Sequence, residues 1–268
     1  MTAVSTQACG AVLRVTIERP EAHNALNREV LQGLARAIEG AEADPAVRAV
    51  VLTGRGTTAF SAGADLKEIA AMGPDEAADA IAAGQATMDR VAAADVPVVA
   101  AVDGLALGGG FELALAATFT VLSESASLGL PESGLGLIPG YGGTQRLPRA
   151  IGARTATYLM TTGTRLDARR AYELGLSPVA PVPSARLVDT AHEIADRIAA
   201  QGPRAVRSIL RAVRGGADGS LATGLGLEAG LAALAVAGAE SAEGVEAFLA
   251  RRTPRFVDGA SNGEEAVS

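Results

Sequence analysis

Two carboxylates and three glycine-containing turns are the groups in this sequence best placed to do chemistry. Glu112 and Glu132 stand twenty residues apart, each beside a glycine-rich turn in a segment otherwise poor in charge. A pair of carboxylates in an apolar pocket can be driven to different pKa values, so that one accepts a proton while the other gives one. The competing explanation is two surface glutamates on turns. Gly108, Gly109 and Gly110 lead into the segment that carries Glu112, and residues 134–143 (GLGLIPGYGG) follow Glu132. A strand that runs through glycines into a helix leaves bare backbone N–H groups at the positive end of the helix dipole. Such a place suits an oxygen that carries, or is about to carry, negative charge. The layout recurs at residues 59–67 (AFSAGADLK), where Gly63 precedes a short helix. Close packing would also explain the glycines, and helix stabilisation would explain Glu112.

Other chemistries find less support. There are two histidines: His23 follows Pro20 in a turn, and His192 is expected on a solvated, charged helix face. G-x-S-x-G occurs only at residues 259–263 (GASNG), near the end of the sequence, and no G-x-x-x-x-G-K-[ST] phosphate loop occurs. Gly134-Leu135-Gly136 begins like a dinucleotide fingerprint, but Pro139 interrupts where its helix should run. An NAD(P)-dependent reductase is therefore the competing function from another class. The single cysteine, Cys9, falls in a segment expected to be ragged. It excludes an internal disulfide and a cysteine-based zinc site and suits a reducing cytosol. No metal site is expected. A net charge of −7 and a pI near 5.0 argue against nucleic acid as a partner. Residues 1–10 have no basic region leading an apolar core, and charge or glycine interrupts every apolar run before it reaches membrane-spanning length. The expectation is a cytoplasmic protein with no membrane partner.

The elements that must position these groups read as α/β. Strands are expected at residues 11–18 (an edge strand), 47–52, 97–102, 118–122, 126–130 and 178–182. Helices are expected over 28–43, with Asn27 as N-cap, and over 66–72, 74–94, 111–117, 144–162 and 166–174. From 184 the pattern is helical: 185–200, 203–214, 221–238 and 242–252. This divides the chain into an α/β body (1–183), a helical C-terminal region (184–258) and a disordered tail (259–268).

Residues 59–67, 103–113 (DGLALGGGFEL) and 131–147 (PESGLGLIPGYGGTQRL) resemble motifs of the crotonase, or enoyl-CoA hydratase/isomerase, superfamily. Residues 19–27 and 247–256 look similar to its ends, so the resemblance spans nearly the whole chain in the family's order. It implies a ββα spiral with a helical C-terminal oligomerisation region, forming homotrimers that often pair into hexamers. It implies an oxyanion hole for an acyl-CoA thioester at the N–H groups of Ala64 and Gly109. Substrate binding would fall to Ala62, Ala64, Asp65, Leu66, Lys67, Gly108, Gly140 and Tyr141, with Tyr141 narrowing or capping the acyl pocket. Glu112 and Glu132 match the glutamate pair of hydratases, which favours addition of water to a 2-enoyl-CoA. No cofactor is expected, since coenzyme A enters as part of the substrate. The alternatives within the family are a Δ3,Δ2-enoyl-CoA isomerase and a dehydratase or hydratase of a specialised acyl-CoA. Some crotonase relatives bind RNA, but the acidic balance argues against that. Thr118 and Thr253 depart from the family pattern, which carries an acidic residue and a phosphate-binding lysine there; Arg251, Arg252 or Arg255 would have to replace the lysine.

Overall fold

A computed structural model describes residues 2–256. Strands β1 (Val4–Cys9) and β2 (Val12–Ile17) form a hairpin, and α1 (Arg28–Ala43) leads to β3 (Ala49–Gly54). The short strand β4 (Ala59–Ser61) precedes α2 (Leu66–Ala71), and α3 (Pro74–Ala92) precedes β5 (Val98–Val102). β6 (Leu105–Leu107) runs into α4 (Gly109–Ala116), followed by β7 (Phe119–Leu122) and β8 (Ser127–Gly129). After a 3₁₀ turn at Glu132–Leu135 come α5 (Gly143–Ile151), α6 (Ala153–Thr162), β9 (Leu166–Asp167) and α7 (Ala168–Glu173). Four helices close the described chain: α8 (Ser184–Ala199), α9 (Pro203–Ala217), α10 (Leu221–Val236) and α11 (Ala239–Leu249).

The strands form two sheets, ordered β1-β2-β3-β5-β7 and β4-β6-β8-β9. Pairing is antiparallel only for β1–β2 and β8–β9. Every residue of β3 and β5 is buried, as expected of apolar strands covered on both faces. Alternation along these strands separates two cores. Val50, Leu52, Val98, Ala100 and Val102 join the main core with α1, α3 and α4, whereas Val51, Val99 and Ala101 face Leu187, Ala191 and Ala195 of α8. The fold is thus the mixed α/β arrangement expected, and α8 covers the second face of the large sheet.

Several expectations need correction. Residues 11–18 do not form an edge, because β1 pairs outside β2; Cys9 ends that strand rather than lying in a ragged segment. Residues 178–182 form no strand beyond one bridge between Val182 and Ser123. The helix expected over 166–174 begins at Ala168, after the strand β9. His192 is half-buried rather than solvated: burial pushes its pKa down, and its Nε2 is sealed without a partner among the described residues. The tail expected to be disordered, 259–268, lies outside the described residues. Among the described residues no single helix is long and apolar enough to cross a membrane; α10 and α11 pass that test only together, across a 68° bend.

Candidate active site

Asn27 caps α1 by accepting the Val30 N–H at 2.9 Å. Just before it, the segment from Arg19 to Leu26 forms the floor of the site. Asn24 is 1% exposed and holds a left-handed conformation (φ 55°), which asparagine tolerates better than most residues. Its Nδ2 donates to the carbonyls of Arg55 (3.0 Å) and Ala59 (2.7 Å), and its Oδ1 accepts the Arg19 N–H at 3.1 Å. Arg19 in turn donates to Ala25 O at 2.7 Å and pairs with Asp65 at 3.0 Å. Leu26 is thereby presented to the next turn: its N–H donates to Gly63 O at 2.8 Å, and its carbonyl accepts the Asp65 N–H at 3.1 Å.

That turn, between β4 and α2, lies against the turn between β6 and α4. Gly63 (φ 96°) permits the contact; a Cβ there would fall 2.6 Å from Leu107 O and 3.1 Å from Gly109 N. Among the described residues, neither the Ala64 N–H nor the Gly109 N–H meets a hydrogen-bond acceptor. Gly109 is the first residue of α4, so its N–H points outward at the positive helix end.

Glu112 sits in the first turn of α4 and is 2% exposed. Its Oε1 accepts two main-chain N–H groups, from Tyr141 at 2.8 Å and Gly143 at 2.7 Å. Burial pushes the Glu112 pKa up to about 7; those two bonds and Arg146 pull down, and the Glu132 charge pushes up. Glu132 opens the 3₁₀ turn and lies half-buried over Gly108 (φ 51°), where a Cβ would fall 2.9 Å from Glu132 Oε1. Burial raises its pKa too, and its Oε2 is buried without a partner among the described residues.

The loop carrying Tyr141 and Gly143 is clamped from two sides. Gln85 on α3 donates to Gly140 O at 3.0 Å. Arg146 on α5 donates to Tyr141 O at 2.9 Å and pairs with Asp89 of α3 at 2.6 Å. The Tyr141 side chain is buried against Gly84 of α3 and against Gly109. The structure thus brings Ala64, Gly108, Gly109, Glu112, Glu132, Gly140 and Tyr141 together. Ala62, Leu66 and Lys67 lie exposed along the adjoining surface, with Asp65 capping α2 by accepting the Lys67 N–H at 3.1 Å. The C-terminal arginines do not all remain available: Arg252 is paired with Glu243 at 2.7 Å and Glu246 at 3.2 Å. Thr118 is satisfied locally, its hydroxyl accepting the Val98 N–H at 3.0 Å.

Sequence reasoning assigned no role to Asn24, Arg19, Gly84, Gln85 or Arg146, which hold the site in place. Arg19, Asn24 and Arg146 fall within the stretches 19–27 and 131–147 singled out above, and Gly84 shows as the lone glycine inside an alanine-rich helical stretch. Two surface cavities of about 210 and 430 Å³ lie elsewhere and touch neither glutamate. The site thus sets two main-chain N–H groups without acceptors among the described residues beside two carboxyls whose pKa values burial raises, that of Glu112 to about 7.

The family model described as Enoyl-CoA hydratase/isomerase matches residues 7–259. A Bacillus subtilis protein bearing the same family name is 43% identical over 238 residues, covering 89% of this chain and 91% of its own. The crotonyl-CoA hydratase of Syntrophomonas wolfei is 38% identical over 241 residues, 90% of this chain and 92% of its own. Among solved structures, the enoyl-CoA hydratase of Bacillus anthracis superposes with a TM-score of 0.92 at 41% identity, covering 95% of this chain and 98% of that one.

Proposed function

This chain belongs to the enoyl-CoA hydratase/isomerase family, and from that premise we propose that it adds water across the C2=C3 bond of a 2-enoyl-CoA thioester. Attack of water at C3 builds negative charge on the thioester oxygen as the enolate forms. The N–H groups of Ala64 and Gly109 receive that oxygen, each such donor typically lowering the barrier by ~3–4 kcal/mol. Glu112 takes a proton from the attacking water, and protonated Glu132 delivers one to C2. A base works best with a pKa close to the working pH, and burial brings Glu112 to about 7. The same burial favours the protonated form that Glu132 needs. Coenzyme A enters with the substrate, and these steps call for no further cofactor.

The observation that carries this reading is the pair of raised-pKa carboxyls beside one glycine-lined turn with its unpaired N–H groups. Purified protein should lower the enoyl-thioester ultraviolet band of crotonyl-CoA and yield 3-hydroxybutyryl-CoA. Shifting the double bond of 3-enoyl-CoA without hydrating any 2-enoyl-CoA would instead assign an isomerase. Assembly of copies through α10 and α11 is part of the same proposal, supported by exposed Leu234, Val236, Phe248 and Leu249. Sedimentation at the mass of a trimer or a hexamer is expected, and a monomer would remove that part.

A further inference from the structure

We propose that Tyr141, seated against Gly84, ends the acyl pocket and restricts the enzyme to short-chain 2-enoyl-CoA; this rests on the hydratase reading above. Gly84 is the sole glycine of α3 and is buried, with alanines before and after it along the helix. Glycine inside a helix is disfavoured relative to alanine, so its presence here calls for a packing reason. The reason is a ring. A Cβ on Gly84 would fall 2.0 Å from Tyr141 Cε1 and 2.3 Å from Cδ1, so no alanine fits while the ring stays where it is.

The other edge of the ring faces the chemistry. Tyr141 Cδ2 and Cε2 lie 3.0 and 3.1 Å from where a Cβ on Gly109 would stand, and Leu26 Cδ1 closes the same spot at 3.3 Å. The ring therefore spans the gap between α3 and the first residue of α4. The Tyr141 N–H holds the carboxylate assigned to the water that attacks C3. Carbons from C4 onward leave from beside that residue and meet its ring. Rotation of the whole loop is opposed on both sides, because Gln85 holds Gly140 O and Arg146 holds Tyr141 O.

The test compares kcat/KM on C4, C6, C8 and C10 2-enoyl-CoA for the parent, Tyr141→Phe, Tyr141→Ala, Gly84→Ala and the Gly84→Ala/Tyr141→Ala pair. The parent and Tyr141→Phe should favour C4. Tyr141→Ala should raise the C8-to-C4 ratio at least about tenfold, the scale on which apolar pockets discriminate methylenes. Gly84→Ala should drive the ring toward Gly109 and depress every chain length, and the double variant should recover activity on C8. A parent that already prefers C8 or C10, an unchanged ratio in Tyr141→Ala, or Gly84→Ala behaving like the parent would each overturn the proposal. A parent that hydrates no 2-enoyl-CoA at any length would instead overturn the hydratase reading on which it rests.

Discussion

Glu112 Oε1 accepts the Gly143 N–H at 2.7 Å, and a Cβ on Gly143 would stand only 3.0 Å from that same oxygen. The carboxylate is thus held by main chain at a distance that leaves no room for a side chain, yet it is buried deeply enough for its proton to be retained to about pH 7.

Its ionisation therefore opposes folding. The Glu112 pKa is about 7 in the folded protein against an ordinary 4.5, so between these values the native state keeps a proton that the unfolded chain releases. Stability from this group falls as pH rises through that window, by about 3 kcal/mol in all. Glu112→Gln removes the titration. It should match the parent's stability near pH 4 and exceed it by up to about 3 kcal/mol at pH 8 in urea melts, while turnover drops ~10²–10⁴-fold. Lower stability than the parent at pH 8 would contradict the assigned shift.

Glu132→Gln should cost turnover on a similar scale and also act on its neighbour. The Glu132 charge raises the Glu112 pKa, so its removal should move the Glu112 titration to lower pH. Carbon-detected NMR of labelled glutamate side chains reads that midpoint directly. An unmoved midpoint would show that the two carboxyls do not sense one another.

Asn24→Ala should destabilise the chain and damage the site together. It strands the buried carbonyl of Ala59 and the carbonyl of Arg55, and it leaves alanine at a φ of 55°. Each buried group left unsatisfied costs about 1–3 kcal/mol, and the left-handed backbone adds about 1–2. A fall in Tm of about 10 °C is expected by calorimetry. A melt within two or three degrees of the parent would show that other groups carry the turn.

Arg146→Ala should separate function from stability. Its ion pair with Asp89 is formed with a partner side chain that is 73% exposed, and such pairs contribute about 0–1 kcal/mol. The bond to Tyr141 O, by contrast, sets the loop whose N–H groups hold Glu112. A displacement of order 1 Å there can cost about 10²-fold in rate. A kcat drop of ten- to a hundredfold is expected with a Tm loss of only a few degrees, from the Tyr141 carbonyl left without its donor. Asp89→Ala should be much milder in both measurements.

How much of this was legible in the sequence depends on how locally each feature is encoded. The buried strands β3 and β5 show as unbroken apolar runs, and the α1 start shows as Asn27. β1 is hidden because its run, VSTQAC, is half polar, as suits an edge strand with exposed residues. β4, β6 and β9 have two or three residues each, too few for a period to register. Glu112 and Glu132 stand out through the glycines around them, and the structure lays Glu132 over Gly108, just before the helix that carries Glu112. The clamps are invisible beforehand because Asn24 reaches Ala59 and Gln85 reaches Gly140 across 35 and 55 residues. His192 reads as a solvated helix residue because nothing nearby in sequence tells that α8 is laid against a sheet.

Tyr141 presents two different faces to its surroundings: an amide to Glu112 and a ring to Gly84. An amide is common to every residue but proline, whereas a ring is a matter of side-chain choice. Under the proposed reading, descendants of this gene can trade substrate range at codon 141 while the proton-handling apparatus stays in register. Proline is the one exchange that would abolish both at a stroke.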